Sequence, residues 1–280
     1  MKERTVWVTG ASSGLGLHTA MALRDAGWRV IAGARSFPEA GSGEAGPREL
    51  DGAELLRLDV TDGDSVRAFR DAALALSPRV DAVVQCAGML VLGSCEETTP
   101  EEFERVMNTN FLGMVRVNRE ALPLMRQAGG GRIVMFSSIN GLMGIPFQDA
   151  YTASKHAIEG YAEGLQMEVR PFGIRVTLIE PGDHRSGSDR YRLHAAAMGA
   201  DSPYAGEYGK TVRTIHRDET HGSDPDRLGR RVARLLDRKH PPFRRRIASA
   251  EQHLAVLLHG ALPPGWNERI LRSYYLKGKA

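Results

Sequence analysis

Cysteine is scarce in this chain of 280 residues, which contains only Cys86 and Cys95. Two thiols exclude a fold that depends on a disulfide framework, and they are typical of a protein kept in a reducing compartment. The first residues, Met1 to Thr5, lead into an apolar strand without the apolar segment of a secretory signal. We therefore predict a cytoplasmic location.

A strong net charge and long apolar runs are also lacking. The 37 basic and 34 acidic residues give a net charge of +3, which does not indicate a nucleic-acid-binding protein. No stretch has the roughly 20 apolar residues that a membrane-spanning helix needs. One segment, from Asp224 to Arg246, is dense in arginine and ends in Arg244, Arg245 and Arg246. Because the predicted helix from Asp224 to about Lys239 has no interleaved aromatic residues, we interpret the segment as a solvated helix face rather than a nucleic-acid surface.

Glycine, in contrast, is concentrated at a turn between a predicted strand and a predicted helix. The strand is Thr5 to Thr9, the turn reads Gly10-Ala-Ser-Ser-Gly14-Leu-Gly16, and the helix runs from Leu17 to Ala26. A helix amino terminus offers unpaired N–H groups, and glycines let a pyrophosphate approach the backbone closely. The pattern predicts a dinucleotide site, and a plain tight turn is the alternative.

The end of the second predicted strand distinguishes between the two nicotinamide cofactors. Arg35 follows the strand from Trp28 to Ala34, about twenty residues past the glycines, where such folds contact the adenosine ribose. An acidic side chain there binds a free 2′-hydroxyl, whereas an arginine favours a 2′-phosphate. We predict NADP(H) in preference to NAD(H), with Ser12 and Ser36 as further donors. Asp59, after the third strand, either meets the adenine or helps to cap the next helix.

Tyr151 and Lys155 are spaced so that a helix places them on one face. A free tyrosine has a pKa of about 10, and an ammonium about 4 Å away stabilises the phenolate by on the order of 4 kcal/mol. We therefore expect Lys155 to lower the pKa of Tyr151 toward neutrality. Ser138 ends the fifth strand, where its hydroxyl is placed to orient a carbonyl oxygen during proton transfer. An ordinary helix surface is the alternative for the pair.

Seven motifs, taken in order and spacing, resemble those of one family. They are Thr9-Gly-Ala-Ser-Ser-Gly-Leu-Gly16, Leu58-Asp59-Val60, Ala87-Gly88, Asn110-Phe-Leu-Gly113, Ser137-Ser138, Tyr151-Thr-Ala-Ser-Lys155 and Pro181-Gly182. From residue 5 to about 185 the chain resembles the short-chain dehydrogenase/reductases. The resemblance implies an α/β fold, Rossmann-like and doubly wound, with a seven-stranded, mainly parallel sheet flanked by helices. Residues 1–280 would form a single domain.

The resemblance also implies a catalytic set of Asn110, Ser138, Tyr151 and Lys155. Ser138 would hold the substrate oxygen, Tyr151 would transfer the proton, and Lys155 would bind the nicotinamide ribose and depress the tyrosine pKa. The backbone of Asn110, at a helix kink, would hold a water that connects Lys155 to solvent. No metal is expected. The cofactor contacts would come from Gly10, Ser12, Ser13, Gly14, Leu15, Gly16, Arg35, Ser36, Asp59, Val60, Cys86, Ala87, Gly88, Tyr151, Lys155, Pro181, Gly182 and Ser186.

Two motifs depart from the family pattern. The family has Asn-Asn-Ala-Gly after the fourth strand, and this chain has Gln85-Cys86-Ala87-Gly88. Because Cys86 lacks the amide of that asparagine, we expect the strand end to be held less rigidly, without loss of the hydride chemistry. The family also favours Pro-Gly-x-x-x-Thr after the sixth strand, where this chain has Ser186, which keeps a hydroxyl for the nicotinamide amide.

An irregular stretch from Asp183 to Ser223 predicts a substrate lid over about residues 183–223. Four of its side chains either face the substrate or pack the lid onto the domain: Tyr191, Met198, Tyr204 and Tyr208. Three histidines lack metal-ligand spacing and are interpreted as polar loop residues: His184, His194 and His216.

Large apolar residues follow the fourth and fifth strands, near the expected cleft. They are Leu90, Val91, Leu92, Ile139, Leu142, Met143, Ile145 and Phe147. They predict a mainly apolar substrate with one carbonyl or secondary alcohol, and the resemblance is nearest to members that act on hydroxysteroids, retinoids or bulky ketones. The C-terminal extension, about residues 250–280, either walls the substrate cleft or joins a subunit interface.

The sequence thus predicts an NADP(H)-dependent oxidoreductase that interconverts a hydrophobic ketone or aldehyde with its alcohol. A non-catalytic NADP(H)-sensing protein on the same fold and a lyase or epimerase with bound cofactor are the alternatives. The expected partner is a small molecule, with no nucleic acid and no membrane span. A homodimer or homotetramer is expected, since the long helices before and after the fifth strand form subunit interfaces in the family.

Overall fold

Strands and helices alternate along the chain, which a computed structural model describes at residues 3–37 and 50–276. The strands are β1 (Thr5–Thr9), β2 (Arg29–Ala34), β3 (Glu54–Arg57), β4 (Ala82–Gln85), β5 (Val91–Leu92), β6 (Gly131–Phe136), β7 (Ile174–Pro181), β8 (Leu193–His194) and β9 (Arg244–Ile247). The α-helices are α1 (Gly14–Asp25), α2 (Gly63–Leu76), α3 (Pro100–Met107), α4 (Gly113–Gln127), α5 (Asp149–Val169), α6 (Ala205–Thr220), α7 (Pro225–Leu236), α8 (Ala250–Ala261) and α9 (Pro264–Tyr275).

Seven of the strands form one parallel sheet in the order β3-β2-β1-β4-β6-β7-β9. The prediction of a doubly wound, seven-stranded sheet is therefore confirmed. Strand order reverses between β1 and β4, and open sheets of this kind bind ligands at the carboxyl ends of the strands beside such a reversal. The remaining strands, β5 and β8, pair with each other above that edge.

Both faces of the sheet are buried, as the near-continuous apolar strands require. Side chains alternate along β1, so that Val6 and Val8 join a cluster with α1 and α7, whereas Trp7 joins a cluster with α2, α4 and α5. Trp7 packs edge-on against Phe69 of α2, with 5.5 Å between ring centroids. Each such buried side chain contributes about 1.5–3 kcal/mol.

The structure adds detail to two sequence expectations, one about the cap of α2 and one about the helix kink at Asn110. Asp62, not Asp59, caps α2, because its side chain accepts a hydrogen bond from the Asp64 N–H. The kink expected at Asn110 takes the form of a π-helical turn, Asn108–Leu112, between α3 and α4. Such turns occur frequently at functional sites.

The segment predicted as an irregular lid is in part helical, so that prediction is wrong in its local structure. It contains β8 and the 16-residue helix α6. Only Thr211, Thr214 and Ile215 of this helix are buried, so it has too thin an apolar stripe to reveal a helical period. That the segment acts as a lid stays a prediction.

The C-terminal extension forms two short helices, α8 and α9, which follow the last strand of the sheet. Tyr275 at the end of α9 is buried in a cluster with Leu92, Ile139 and Met143, which follow β4 and β6. The extension therefore packs over the apolar residues that the sequence placed at the cleft. Among the helices within the described ranges, none has the length and apolar character needed to cross a bilayer.

Candidate active site

The glycine-rich turn after β1 has a backbone that other residues would not allow. Gly10 and Gly14 have φ values of +67° and +53°, in the left-handed region. A Cβ on Gly16 would lie 2.1 Å from the Gly10 carbonyl oxygen, and one on Gly10 would lie 2.7 Å from the Ala87 backbone. The three glycines thus let the turn fold tightly against the end of β4.

The same turn leaves room for a pyrophosphate at the start of α1. A Cβ on Gly14 would meet no atom closer than the Ser186 carbonyl oxygen at 3.6 Å, an ordinary van der Waals contact, so nothing crowds the backbone there. Ser13, the N-cap of α1, makes no side-chain cap hydrogen bond, and the first turn carries no acidic residue. The N–H groups and the helix dipole therefore remain available to an anion, and these residues fit a dinucleotide cofactor.

The end of β4 is held firmly despite the cysteine that replaces the family asparagine. The Cys86 N–H donates to the Thr9 carbonyl at 3.2 Å, and the Ala87 N–H donates to the Thr9 hydroxyl at 3.3 Å. Gln85 donates to the Asn118 side chain at 2.6 Å within the core. The expected loosening of this strand end is therefore wrong, because backbone bonds and Gln85 replace the missing amide.

Cys86 itself lies in surroundings that make its thiol unreactive. Burial raises the pKa of its thiol well above the ordinary value, although the nearby Lys155 opposes that shift. The thiol is therefore protonated and a poor nucleophile at neutral pH.

Asp59 and two arginines lie together at the ends of β2 and β3. Burial opposes ionisation of Asp59, but hydrogen bonds from Thr61 and the nearby guanidinium groups of Arg35 and Arg57 outweigh it and lower its pKa. Strand pairing places Arg57 opposite Ala34, the residue before Arg35. The sequence did not predict a role for Arg57, because only the pairing of β2 with β3 shows that the end of its strand lies beside Arg35. Arg35 and Ser36 are exposed, as side chains that bind a phosphate need to be.

Asn110 lies in the π-helical turn and is fully buried. Its side chain accepts a hydrogen bond from the Met89 N–H at 2.7 Å and donates to the Met89 carbonyl at 2.9 Å and to the Ser154 hydroxyl at 2.9 Å. These bonds fasten the segment after β4, next to Gly88, to helix α5. The helix irregularity expected at this asparagine is present, and its role toward a water stays a prediction.

Ser138 lies directly after β6 and is buried with two polar neighbours. Its hydroxyl accepts a hydrogen bond from the Asn140 N–H at 3.2 Å, and the Asn140 side chain donates to Gln148 at 2.9 Å. The Ser138 hydroxyl also lies close enough to the Tyr151 hydroxyl to oppose the rise in the tyrosine pKa. The sequence did not single out Asn140 or Gln148, since their contact depends on how the loop 138–148 folds.

Tyr151 and Lys155 lie near each other on α5, with the Lys155 Nζ 5.3 Å from the Tyr151 ring centroid. Lys155 donates to the Phe136 carbonyl at 2.7 Å, at the end of β6. Its burial lowers its pKa to about 8. The catalytic residues predicted from the sequence are thus brought together at the carboxyl edge of the sheet, beside the glycine-rich turn.

The expected acidic phenol is not observed. Burial raises the pKa of Tyr151 to about 12; the hydrogen bond with Ser138 opposes this, and the negative charges of Glu219 and Asp183 add to it. The prediction that Lys155 brings this pKa toward neutrality is wrong for the chain by itself. Lys155 is directed to the Phe136 carbonyl, and burial of the phenol, with the charges of Glu219 and Asp183 added to it, keeps the pKa of Tyr151 high.

The loop after β7 closes the site from the other side. A Cβ on Gly182 would lie 2.0 Å from the Gln252 side-chain oxygen, so only glycine allows α8 to pack here behind Pro181. Ser186 lies beside Gly14, since its carbonyl oxygen and Cβ are 3.6 Å and 3.9 Å from the place where a Cβ on Gly14 would lie. The predicted cofactor contacts of this loop therefore lie next to the glycine-rich turn, and their binding role stays a prediction.

Comparison with known proteins identifies the family. A family model described as short chain dehydrogenase matches residues 4–194. The chain belongs to the short-chain dehydrogenase family. Its members are oxidoreductases that use a nicotinamide dinucleotide, in agreement with the phosphate-binding geometry of the glycine-rich turn.

The chain is similar to proteins of known activity and to a solved structure. It is 36% identical to a 3-ketodihydrosphingosine reductase of Bacteroides thetaiotaomicron, over 98% of this chain and 99% of that protein. It is 38% identical to 17-beta-hydroxysteroid dehydrogenase type 1 of Homo sapiens, over 65% of this chain and 57% of that protein. The solved structure of a short-chain dehydrogenase from Streptomyces avermitilis has 31% identity and a TM-score of 0.79, covering 99% and 97% of the two chains.

An apolar wall that includes Ile139, the residue after Ser138, lies at the carboxyl edge of the sheet. It is formed by Leu92, Ile139, Met143, Ile145, Ile215 and Tyr275, with Leu90, Tyr208 and Val212 packed against them. Phe147 packs edge-on against Tyr208, at 5.4 Å between centroids, and has a φ of +63°. A bulky residue in this region is strained, and such strain is often kept at ligand-binding sites.

Three of the four lid side chains pack onto the domain. The Tyr204 hydroxyl donates to Glu96 at 2.5 Å, the Tyr208 hydroxyl donates to the Leu92 carbonyl at 3.4 Å, and Met198 is half-buried beside Ala195. Tyr191 is 50% exposed and contacts neither the core nor the wall. The packing alternative therefore holds for these three residues.

Two histidines of this region, His184 and His194, have different surroundings. His184, interpreted as an ordinary loop residue, is in fact buried, with its Nδ1 hydrogen-bonded to the Gly182 carbonyl at 2.9 Å. His194 instead bonds to the Tyr208 hydroxyl.

Of the three arginines of β9, Arg246 is half-buried, so the interpretation as a solvated face is wrong for that residue, whereas Arg244 is exposed. Arg244 pairs with Glu159 at 3.0 Å, and Arg246 pairs with Glu180 at 3.1 Å. The Glu180 side chain is 1% exposed, so its charge requires these partners. Arg245 is exposed. The glutamates were not considered because they lie on α5 and β7, far from β9 in sequence.

Proposed function

We propose that this chain is an NADPH-dependent reductase that converts a hydrophobic ketone or aldehyde to its alcohol, and that the reaction is reversible. The observation that carries the proposal is the convergence of Ser138, Tyr151 and Lys155, with the Lys155 Nζ 5.3 Å from the Tyr151 ring centroid, at the sheet edge beside the glycine-rich turn. A substrate carbonyl placed between Ser138 and Tyr151 would meet two hydroxyl donors at once.

The raised pKa of Tyr151 supports the reductive direction. At neutral pH the phenol keeps its proton, which is the form needed to protonate a carbonyl oxygen as that oxygen gains negative charge. The bound nicotinamide supplies the hydride. Ser138 orients the oxygen, and Lys155, buried beside Tyr151, is placed to hold the ribose hydroxyls.

Two features support the finer details of the proposal. Arg35 and Arg57 provide positive charge where a 2′-phosphate would lie, which favours NADP(H). The apolar wall and the relatives named for a ketodihydrosphingosine and for hydroxysteroids favour a large apolar substrate with one reacting carbonyl. Exposed Leu112 beside α4 and Met167 on α5 favour the predicted homodimer or homotetramer through these two helices.

The test is the reduction of long-chain ketones with NADPH, followed by loss of the NADPH absorbance. Tyr151→Phe should lower kcat by at least about a hundredfold, the usual contribution of a positioned general acid, with NADPH affinity unchanged. Tyr161→Phe is the matched control, since this buried tyrosine on the same helix contacts Asn118 rather than the site. NADPH binding with no turnover of any carbonyl would overturn the proposal and favour a sensor.

A further inference from the structure

Asp183 is a carboxyl group of the substrate site that the catalytic set leaves unexplained. It follows Pro181 and Gly182 at the end of β7, on the edge of the sheet that holds Tyr151. Gln252 of α8 donates to its carboxylate at 2.5 Å and accepts from its N–H at 3.3 Å. The C-terminal extension therefore fixes the direction of this side chain.

The acids nearest to Asp183 already have basic partners. Asp218 pairs with Arg217 at 2.9 Å and accepts from the Tyr274 hydroxyl at 2.8 Å, and Glu219 pairs with Arg192. Asp183 makes no ion pair with any basic residue in the ranges 3–37 and 50–276. Its charge is balanced only by the neutral amide of Gln252 and by the more distant Arg192.

The Asp183 carboxyl acts electrostatically on both Tyr151 and Tyr275 of the apolar wall. Its negative charge raises the pKa of Tyr151, and it also raises the pKa of Tyr275, which is buried in the wall. A carboxylate that is close to both groups would contact a substrate near its reacting carbonyl, while the rest of that substrate lies along apolar side chains.

We propose that Asp183 binds an amino group that the substrate carries beside its carbonyl, so that the substrates are long-chain amino ketones rather than plain ketones. An ammonium supplies the basic partner that Asp183 lacks, and a charge-assisted hydrogen bond is about twice as strong as a neutral one. The inference rests on the proposed reductase activity. It agrees with the relative named for a ketodihydrosphingosine, which is a long-chain amino ketone.

The protonation state of the carboxyl makes this recognition sensitive to pH. Burial, with added repulsion from Asp218 and Glu219, raises the pKa of Asp183 to about 7, against the opposing effects of Gln252 and Arg192. Below that pH the carboxyl is mostly neutral and loses its attraction for an ammonium. The other titratable groups that face it are Tyr151 of α5 and Tyr275 of α9.

The first test compares two ketones of equal chain length, one with an amine next to the carbonyl and one without. Asp183→Asn should lower kcat/KM for the amino ketone by roughly 10- to 100-fold and change that for the plain ketone by less than about threefold. Asp189→Asn, an exposed acid in the same loop, is the control and should alter neither value. Unchanged NADPH affinity confirms that the variant is folded.

The outcomes separate this inference from the proposed function. An equal loss on both ketones, or a wild-type preference for the plain ketone, overturns the amine recognition and leaves the reductase proposal intact. No reduction of either ketone by the wild type overturns both.

A second measurement needs no variant. A long-chain primary amine and the alcohol of the same length are compared as inhibitors of the wild type on both sides of neutral pH. The amine should bind more tightly than the alcohol above about pH 7, and its advantage should fall several-fold below that pH. An advantage that does not change with pH, or none at any pH, would show that Asp183 does not bind the amine.

Discussion

The cofactor half of the site, built from β1 to β4 and the turns after them, differs in construction from the substrate half, built from β6 onward. In the cofactor half the backbone provides the binding groups, through the positive φ of Gly10 and Gly14 and the uncapped start of α1. In the substrate half, side chains from distant segments meet, as Gln252 meets Asp183 across 69 positions of sequence.

The two halves therefore differ in how well they tolerate substitution. A backbone-built site tolerates little change, because each glycine is in contact with other backbone atoms. A site built from side chains can be altered one residue at a time. The same catalytic Ser138 and Tyr151 can therefore serve different substrates, depending on what the loop after β7 and the C-terminal helices place beside them.

The largest effect is expected from a single methyl group in the cofactor half. Gly16→Ala puts a Cβ 2.1 Å from the Gly10 carbonyl oxygen, and neither atom belongs to a flexible side chain. We expect a destabilisation of about 3 kcal/mol or more and a loss of NADPH binding of over about a hundredfold. Urea unfolding and cofactor titration measure the two effects.

Gly160→Ala is the matched control for that substitution. Gly160 lies on the exposed face of α5 with no atom within 4 Å of an added Cβ, so alanine should stabilise the helix by up to about 1 kcal/mol. Equal behaviour of the two variants would mean that the glycine-rich turn is not tightly constrained, and the contrast between the halves would disappear.

A smaller effect is expected at the far edge of the substrate half. Arg246→Met leaves the buried Glu180 with only the more distant Arg244, at 3.6 Å, so we expect a loss of about 2 kcal/mol in the free energy of unfolding. Urea unfolding checks it, with the exposed Arg245→Met as a control that should stay within about 0.5 kcal/mol. A loss of the same size in both variants would show that the burial of Glu180 contributes nothing.

The same contrast decides how much the sequence could predict. The glycine spacing, the catalytic Tyr151 and Lys155 and the seven parallel strands follow from local patterns, because a turn or a helix face is a property of neighbouring residues. The partners of Asp183 and Glu180 come from elements far away in the chain, so their contacts depend on the assembled fold. Helix α6 could not be predicted from the sequence because only three of its residues are buried, which leaves no clear helical pattern of apolar residues.

The pKa of Tyr151 is an instructive case of the same limit. The sequence contains the ammonium of Lys155 one helical turn away, and that pair alone predicts an acidic phenol. The charges that reverse the prediction, Asp183 and Glu219, belong to the loop after β7 and to α6. A pair of residues gives the sign of one interaction, whereas the pKa depends on burial and on every charge nearby.

A change of cofactor preference sharpens the comparison within the cofactor half, where Arg35 and Arg57 are the side-chain contribution to a site otherwise built from backbone. Arg35→Asp should raise the KM for NADPH by roughly 10- to 100-fold, since a charge-assisted hydrogen bond to the 2′-phosphate is worth about 1.5–3 kcal/mol, and should change the KM for NADH far less. Arg67→Asp, an equal change of charge on the exposed face of α2, should leave both values nearly unchanged. Steady-state kinetics with the two cofactors separates local recognition from a general loss of positive charge. If both KM values rose together in Arg35→Asp, the guanidinium would not be reading the 2′-phosphate, and the preference for NADPH would need another source.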